Sequence, residues 1–382
     1  MPAGFQDALP PGAAQEAAAV ERLIACFAAH GYERVKPPLL EFEETLLSGA
    51  GAAVAQRTFR LMDPISQRMM ALRADITPQV ARVAGTRLAG AARPLRLCYA
   101  GEVLRVRGSQ LRPERQFAQV GAELIGVAEE RADAEVVLMA VEALAAVGIA
   151  NLSVDLNLPP LVDAVARSLG LAADRLAGLR QALDRKDAAA VGAVAEGCAG
   201  PFQALLRAGG PAARAMAALA QVEMPEAARA EVARLGRVVD LIRAEAPDLG
   251  LTVDPVEHRG FEYQTGISFS LFARHGRGEL GRGGRYSTAA YRPGDGPRET
   301  STGFTLYMDS VQRALPAPAA PRRIYLPAAC APARARELRG QGWMTLRGLD
   351  DAAGTRAEIA AEARRLGCGH ALIDDTIFEL AD

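Results

Sequence analysis

Apolar residues recur along this chain in two rhythms. Over residues 13–30, Val20, Leu23, Ile24 and Phe27 fall at helical spacing, and Gly31 stops the run. Residues 129–148 repeat that rhythm in Ala, Val and Leu, which predicts a packing helix. From 159 to 248 the sequence is rich in Ala and Leu at helical spacing, broken by Gly and Pro, which predicts several helices forming an insertion. Strand patterns occupy the intervals. Residues 32–38 read as a short strand ending in prolines, 58–61 and 68–72 as a hairpin with Asp63-Pro64 in the turn, and 151–157 as an alternating strand. Thr77-Pro78 is a helix start, with Thr77 as the cap and proline at the first position. The sheet resumes within 255–273. A Pro/Ala linker at 315–321 precedes a tail with a strand at 324–326, a helix at 355–366 capped by Thr355 and stopped by Gly367, and a final strand within 371–378. The expected organisation is α+β: a core over 1–315, interrupted by the helical insertion 159–248, then a small α/β segment over 322–382.

Residues 95–126 carry the chemistry. They read as two strands joined by a polar loop rich in Arg, Gly and Pro. The first strand holds Leu97, Tyr99, Val103 and Arg105. In the second, Ala118, Val120, Ala122 and Leu124 share an apolar face that can pack against helices. Arg115, Phe117, Gln119, Gly121 and Glu123 share the other. Arg, Gln and Glu at even spacing suit a small zwitterion, with a carboxylate for an ammonium and a guanidinium for a carboxylate or phosphate. A solvated sheet face with cross-strand ion pairs fits the same spacing.

Composition narrows the classes. The 382 residues are 50% hydrophobic and 23% charged, which suits a soluble globular chain of two or three domains. No apolar run is long enough for a membrane helix, and the N-terminus lacks the layout of a signal peptide. Five scattered cysteines without CxxC spacing suggest reduced thiols in a cytoplasmic setting, and with four distant histidines they give no metal signature. The net charge of −1 supplies no global field for nucleic acid.

In residues 95–126 the order of motifs, a Gly-x-x-x-Arg strand, an Arg-rich loop and Arg115-Gln116-Phe117-x-Gln119-x-Gly121-x-Glu123, resembles motif 2 of the class II aminoacyl-tRNA synthetases, within their histidyl branch. The helix, strand and proline of 13–38 resemble motif 1, which implies a homodimer through the core. The sequence 301–315, with Gly303-Phe304, resembles motif 3. Arg259-Gly260-Phe261-Glu262-Tyr263 resembles the histidine-binding signature of that branch, and Asp75-x-Thr77 stands where it grips the substrate amino group with Glu-x-Thr. The resemblance thus implies a histidine-like pocket of Asp75, Thr77, Arg105, Gln119, Glu123, Arg259 and Tyr263. His258 is read as structural. Glycines at 278–286 could form an anion-cradling turn or a plain hairpin turn.

Other positions depart from a working synthetase. Ser310 stands where an arginine clamps the ATP phosphates, Tyr307 where glycine makes room for the nucleotide, and Arg107 and Pro113 replace further ATP contacts. The tail is short for an anticodon-binding domain. The pattern resembles the non-catalytic relatives of the synthetases, the regulatory subunits of ATP phosphoribosyltransferase. That resemblance implies no catalytic residues, no cofactor, no tRNA and no membrane. It also implies a short catalytic partner in a hetero-octamer of four plus four, acting in the first step of histidine biosynthesis, with histidine as a ligand. A histidyl-tRNA synthetase or an amino-acid-activating ligase is the alternative.

Overall fold

The computed structural model describes residues 1–47, 55–108, 112–258, 264–274, 276, 278–288, 299–318, 320–349 and 355–380. Two compact units divide the chain, Met1–Pro316 and Ala317–Asp382.

The first unit starts with α1 (Gly12–Ala29), which buries Ala19, Leu23, Ile24 and Phe27 on the face their spacing defines. Gly31 ends it with φ +81°, a conformation that favours glycine. Strand β1 (Glu33–Arg34) pairs in parallel with β5 (Leu95–Leu104), and β5 forms an antiparallel pair with β6 (Gln116–Ile125). Between them lie a small sheet of β2 (Leu40–Phe42), β4 (Met69–Leu72) and β3 (Arg60–Met62), and helices α2 (Glu43–Leu46) and α3 (Thr77–Gly85). Helix α4 (Glu130–Ala146) and β7 (Leu152–Asn157) follow.

The insertion runs through α5 (Pro160–Ser168), α6 (Ala173–Asp184), α7 (Ala188–Val194), α8 (Ala199–Ala208), the two-residue β8 (Gly210–Pro211), α9 (Ala212–Leu219) and α10 (Glu226–Glu245). Strands β9 (Gly250–Asp254), β10 (Gln264–Ala273), β11 (Gly281–Ser287) and β12 (Thr300–Tyr307) then complete the sheet, and α11 (Met308–Ala314) closes the unit. The strand order is β1-β5-β6-β12-β11-β10-β7-β9-β8 among the described residues. The six strands from β5 to β7 in that order are antiparallel neighbours.

Each face of the sheet has its own filling. Ala118, Val120, Ala122 and Leu124 join α1, α4 and the insertion in one continuous apolar core, where Phe27 meets Phe304 edge-on at 5.4 Å. The opposite face packs Leu97, Tyr99, Val103 and Phe117 against Ile76, Val80 and Ala84. No helix among the described residues is long and apolar enough to cross a membrane.

A buried ion pair ties the sheet to α4. The Arg285 Nε donates to Asp133 Oδ1 at 3.0 Å and its Nη2 to Asp133 Oδ2 at 2.8 Å. The same guanidinium donates to the carbonyls of Val127 at 2.8 Å and Glu129 at 3.0 Å, in the turn between β6 and α4. A charge so enclosed persists because nearly all its donors are matched.

In the second unit, β13 (Arg323–Leu326) pairs in parallel with β14 (Met344–Arg347) and β15 (His370–Ile373). Helix α12 (Pro332–Gly340) lies between β13 and β14 in the chain, and α13 (Arg356–Arg365) between β14 and β15. Thr355 caps α13 in a reciprocal box with Glu358, and Gly367 follows it with φ +67°. The single strand expected within 371–378 is instead the end of β15 and most of β16 (Thr376–Glu379). They are joined by Asp374 and Asp375 at φ 49° and 60°, the left-handed pair a tight hairpin requires. Two aspartates without glycine hid that turn.

Breaking the Arg285–Asp133 pair should be costly while replacing it should not. Arg285→Ala is expected to lose about 3–5 kcal/mol in urea unfolding, and Arg285→Met with Asp133→Leu to recover most of it. Equal losses in the single and double variants would show that the charges themselves are required.

Candidate functional site

The second strand of the 95–126 pair does not carry a solvated face. Gln119 and Glu123 are 0% and 1% exposed. Strand register explains why. Glu123 on β6 lies opposite Leu97 and Gly303, and the same transverse row continues through Gly284, Ser268, Asn157 and Asp254. The next row holds Tyr99, Gly121 and Thr305. Residues paired across strands share a face, so these side chains line one trough over the sheet. Glycine is required at two of the positions. A Cβ on Gly303 would meet Glu123 Oε2 at 2.0 Å, and one on Gly121 would meet Tyr99 Oη at 2.5 Å.

Hydroxyl groups surround Glu123. Tyr286 Oη donates to Oε2 at 2.9 Å and Tyr99 Oη to Oε1 at 3.4 Å. Tyr99 Oη also shares hydrogen bonds with Thr305 Oγ1 at 2.5 Å and Thr77 Oγ1 at 3.2 Å. Burial pushes the Glu123 carboxyl up to about 8, against which the donors act only in part. The protonated acid is therefore the resting form near neutral pH.

The loop before α3 forms one wall. Arg73 pins it by donating from Nε to the Glu102 carbonyl at 2.7 Å and from Nη1 to the Pro37 carbonyl at 2.9 Å. Gln119 Oε1 accepts from the Ile76 amide at 3.0 Å, and Asp75 Oδ1 from the Thr77 amide at 3.0 Å. Thr77 is thus not the helix cap its sequence suggested. Its hydroxyl points to Tyr99, and the Asp75 carboxylate takes the orphan amide. The Asp75 pKa is raised, mainly by burial, with the Thr77 amide and Arg105 opposing.

Arg105 sits just past β5, its guanidinium 4.7 Å from the Phe117 ring centroid. Burial lowers its pKa, opposed by Tyr307 and Asp75. Asp75, Thr77, Gln119 and Glu123 therefore converge, and Arg105 is close enough to Asp75 to act on it electrostatically. Arg259 and Tyr263 lie outside the described residues.

Several buried polar atoms on this face have no hydrogen-bond partner among the described residues: Gln119 Nε2, Ser301 Oγ, Ser268 Oγ and Asn157 Oδ1. Buried donors and acceptors are ordinarily matched, so a cluster of orphans on one face fits a polar ligand.

Three of the four glycines of 278–286 are not part of an anion-cradling turn. Gly281, Gly283 and Gly284 are strand residues inside β11, where close approach of β10 and β12 leaves no space for side chains. Sequence reasoning missed the roles of Tyr99, Tyr286 and Thr305. A tyrosine directly opposite a glycine, as Tyr99 is to Gly121, was the available signal.

The elevated Glu123 carboxyl predicts a pH dependence. The folded state keeps this proton up to about pH 8, whereas an ordinary carboxyl loses it near 4.5. Folding thus takes up a proton in that window, so stability falls as pH rises through it, by up to about 1.4 kcal/mol per pH unit. Glu123→Gln mimics the protonated acid and should flatten this slope in urea titrations across the window. An unchanged slope would place the titration elsewhere.

The sequence model of the histidyl-tRNA synthetase family matches residues 4–311. An ATP phosphoribosyltransferase regulatory subunit of Rhodospirillum centenum is 55% identical over 382 residues, covering 100% of this chain and 96% of that protein. One of Paramagnetospirillum magneticum is 54% identical over 380 residues, covering 100% and 97%. Among solved structures, an ATP phosphoribosyltransferase regulatory subunit/histidyl-tRNA synthetase of Bacillus halodurans superposes with a TM-score of 0.80 at 23% identity, covering 95% of each chain. A histidyl-tRNA synthetase of Nostoc gives 0.79 at 17% identity, covering 98% of this chain and 90% of that one. At those identities the structures establish the fold, and the closer sequences establish the branch. The chain belongs to the family of ATP phosphoribosyltransferase regulatory subunits, built on the histidyl-tRNA synthetase fold.

Proposed function

We propose that this chain is the non-catalytic subunit of a two-component ATP phosphoribosyltransferase, acting in the cytoplasm at the first step of histidine biosynthesis. A separate short subunit performs the transfer. This chain activates it within a hetero-octamer of four plus four, dimerising through its synthetase-like core, and the trough over β6 and β12 senses histidine.

One observation carries the reading: Asp75, Thr77, Gln119 and Glu123 come together at one end of the cleft, while Tyr307 fills the position where the resemblance expects glycine to make room for a nucleotide. The Tyr307 ring stands edge-on to Phe117 at 6.0 Å, with the Arg112 guanidinium 3.7 Å and that of Arg105 5.9 Å from its centroid. This stack puts bulk where the resemblance expects glycine to leave room for the nucleotide. Ser310 is buried and accepts from Arg313 Nη2 at 3.1 Å, so it offers no charge to a triphosphate. Arg313 does not replace the missing clamp, because Glu114 and Asp309 already hold it.

In the histidine-bound form, Asp75, Thr77, Gln119, Glu123 and Tyr263 take the ammonium and ring, and Arg105 and Arg259 the carboxylate. Feedback then requires that histidine prefer one state of the assembly, and the catalytic subunit's ligands must in turn alter histidine affinity.

Three measurements test this. ATP–pyrophosphate exchange with histidine should be undetectable, and robust exchange would return the chain to the synthetases. Mixing with a short catalytic subunit should raise phosphoribosyl transfer, and no change would remove the activating role. Histidine binding by calorimetry should weaken by about 10- to 100-fold in Glu123→Ala, the worth of a charge-assisted bond of about 1.5–3 kcal/mol. An ammonium beside Glu123 favours the ionised form, so binding should also expel a proton. The measured heat should then vary with the ionisation enthalpy of the buffer. Heats independent of buffer would place the ammonium away from Glu123.

A further inference from the structure

A second cluster lies on the helical side of the first unit. Cys26 and His30 are four residues apart at the C-terminal end of α1, which stacks their side chains on one face. Glu142, on α4, faces them. His30 Nε2 and Glu142 Oε2 are 3.0 Å apart. Together with Cys26 Sγ, these donor atoms all lie within 4.8 Å of one another. Read along the whole chain, the cysteines and histidines showed no metal spacing. The packing of two helices supplies what the linear pattern lacked.

We propose that Cys26, His30 and Glu142 form a binding site for a divalent transition metal of the zinc class. One thiolate, one imidazole and one carboxylate are a ligand set that zinc and cobalt accept and that magnesium and calcium do not favour. Three protein ligands leave a fourth tetrahedral position open to water. Metal–sulfur and metal–nitrogen bonds of about 2.3 and 2.0 Å place tetrahedral donors about 3.5 Å apart, so a separation from Cys26 Sγ at the 4.8 Å limit must close by about 1 Å while the 3.0 Å His30–Glu142 pair opens slightly. Glu142, with a 63% exposed side chain, has the freedom to do so.

The His30–Glu142 pair alone accounts for two of the groups but gives the thiol no role. Nearby Glu135, two helical turns earlier on α4, is already committed to Tyr32 at 3.0 Å and to Arg96 at 3.0 Å. Glu142 has only the imidazole among the described residues. Burial and Glu142 hold the Cys26 thiol in its protonated form. Binding therefore replaces the sulfur–hydrogen bond with a sulfur–metal bond and releases the proton to solvent. The bound ion would clamp α1 to α4 beneath the sheet.

Cobalt(II) reports this directly. Full-length protein titrated with cobalt chloride at about pH 8 should bind one equivalent, with the visible bands of tetrahedral cobalt and a thiolate-to-metal charge-transfer band in the near ultraviolet. Zinc should abolish both. Cys26→Ser should lose the charge-transfer band, and Glu142→Gln, an exposed change that leaves the fold intact, should weaken binding by about tenfold or more. Thermal unfolding of the wild type should move upward with zinc, and that of Cys26→Ser should not. Absence of saturable binding, a charge-transfer band that survives in Cys26→Ser, or unchanged affinity in Glu142→Gln would each overturn the site.

Discussion

A carboxyl group placed inside a sheet, with no cation among the described residues acting on it, constrains the rest of this structure. An ionised carboxylate there would cost several kcal/mol of lost hydration. The fold meets that cost by leaving Glu123 protonated and ringing it with hydroxyls, from Tyr286 directly and from Tyr99, which is itself tied to Thr77 and Thr305. The ring forms only if four strands and the loop before α3 come close together. Glycine at 121 and 303 permits that approach, and any side chain there would strike the tyrosine or the carboxylate. Adjacent residues divide the work on β11. Tyr286 reaches Glu123 on one face, while Arg285 anchors the strand to Asp133 on the other.

Part of this was legible in advance. The alternation in β6 assigned Val120, Ala122 and Leu124 to the helices and Gln119 and Glu123 to the opposite face, because a strand has one periodicity and two sides. Helix α1 and the Thr355 cap were equally plain, since both depend on local spacing. What escaped was set by register between distant strands. Nothing local tells Tyr286 that it will point at Glu123, or Arg285 that Asp133 will meet it from α4. Local cues also misled where contacts across the sheet decided the outcome. The glycines of β11 resembled a turn, but they are the thin floor of a packed sheet. Thr77 resembled a cap, but Tyr99 holds its hydroxyl and Asp75 serves its amide.

The two ends of the cleft are built differently. Groups that would grip an amino acid sit on β6 and the 73–77 loop, locked by hydrogen bonds within the sheet. Groups that would grip a nucleotide belong to the end of β12, the start of α11 and the loop after β5. There the substitutions are mutually consistent. Tyr307 brings an aromatic ring, the Arg112 guanidinium lies 3.7 Å from its centroid, and Glu279 pairs with Arg112 at 2.9 Å. A single reversion would not reopen the space, because the ring, the guanidinium and the counter-ion support one another.

Control by a small ligand requires that the ligand bind two arrangements of the protein with different affinity. The rigid sheet is a poor place to make that difference. Strands β5, β6 and β12 are fixed by continuous ladders, and Glu123 is buried in both directions along its row. The loop from Arg73 to Thr77 is the exception. It touches the pocket through Asp75 and Thr77, and through Arg73 it holds the Pro37 carbonyl and the Glu102 carbonyl. Its base is fixed to β5, where the Leu104 amide donates to the Arg73 carbonyl at 3.0 Å, and beyond that point side-chain bonds from Gln119 to the Ile76 amide and from Tyr99 to Thr77 tie it to the sheet. Under the proposed function, an ammonium that drew Glu123 into its ionised form would reorder the bonds of Tyr99 and so act on this loop through Thr77. The energy available is that of a few hydrogen bonds, about 1–3 kcal/mol, which is the scale of allosteric couplings in general.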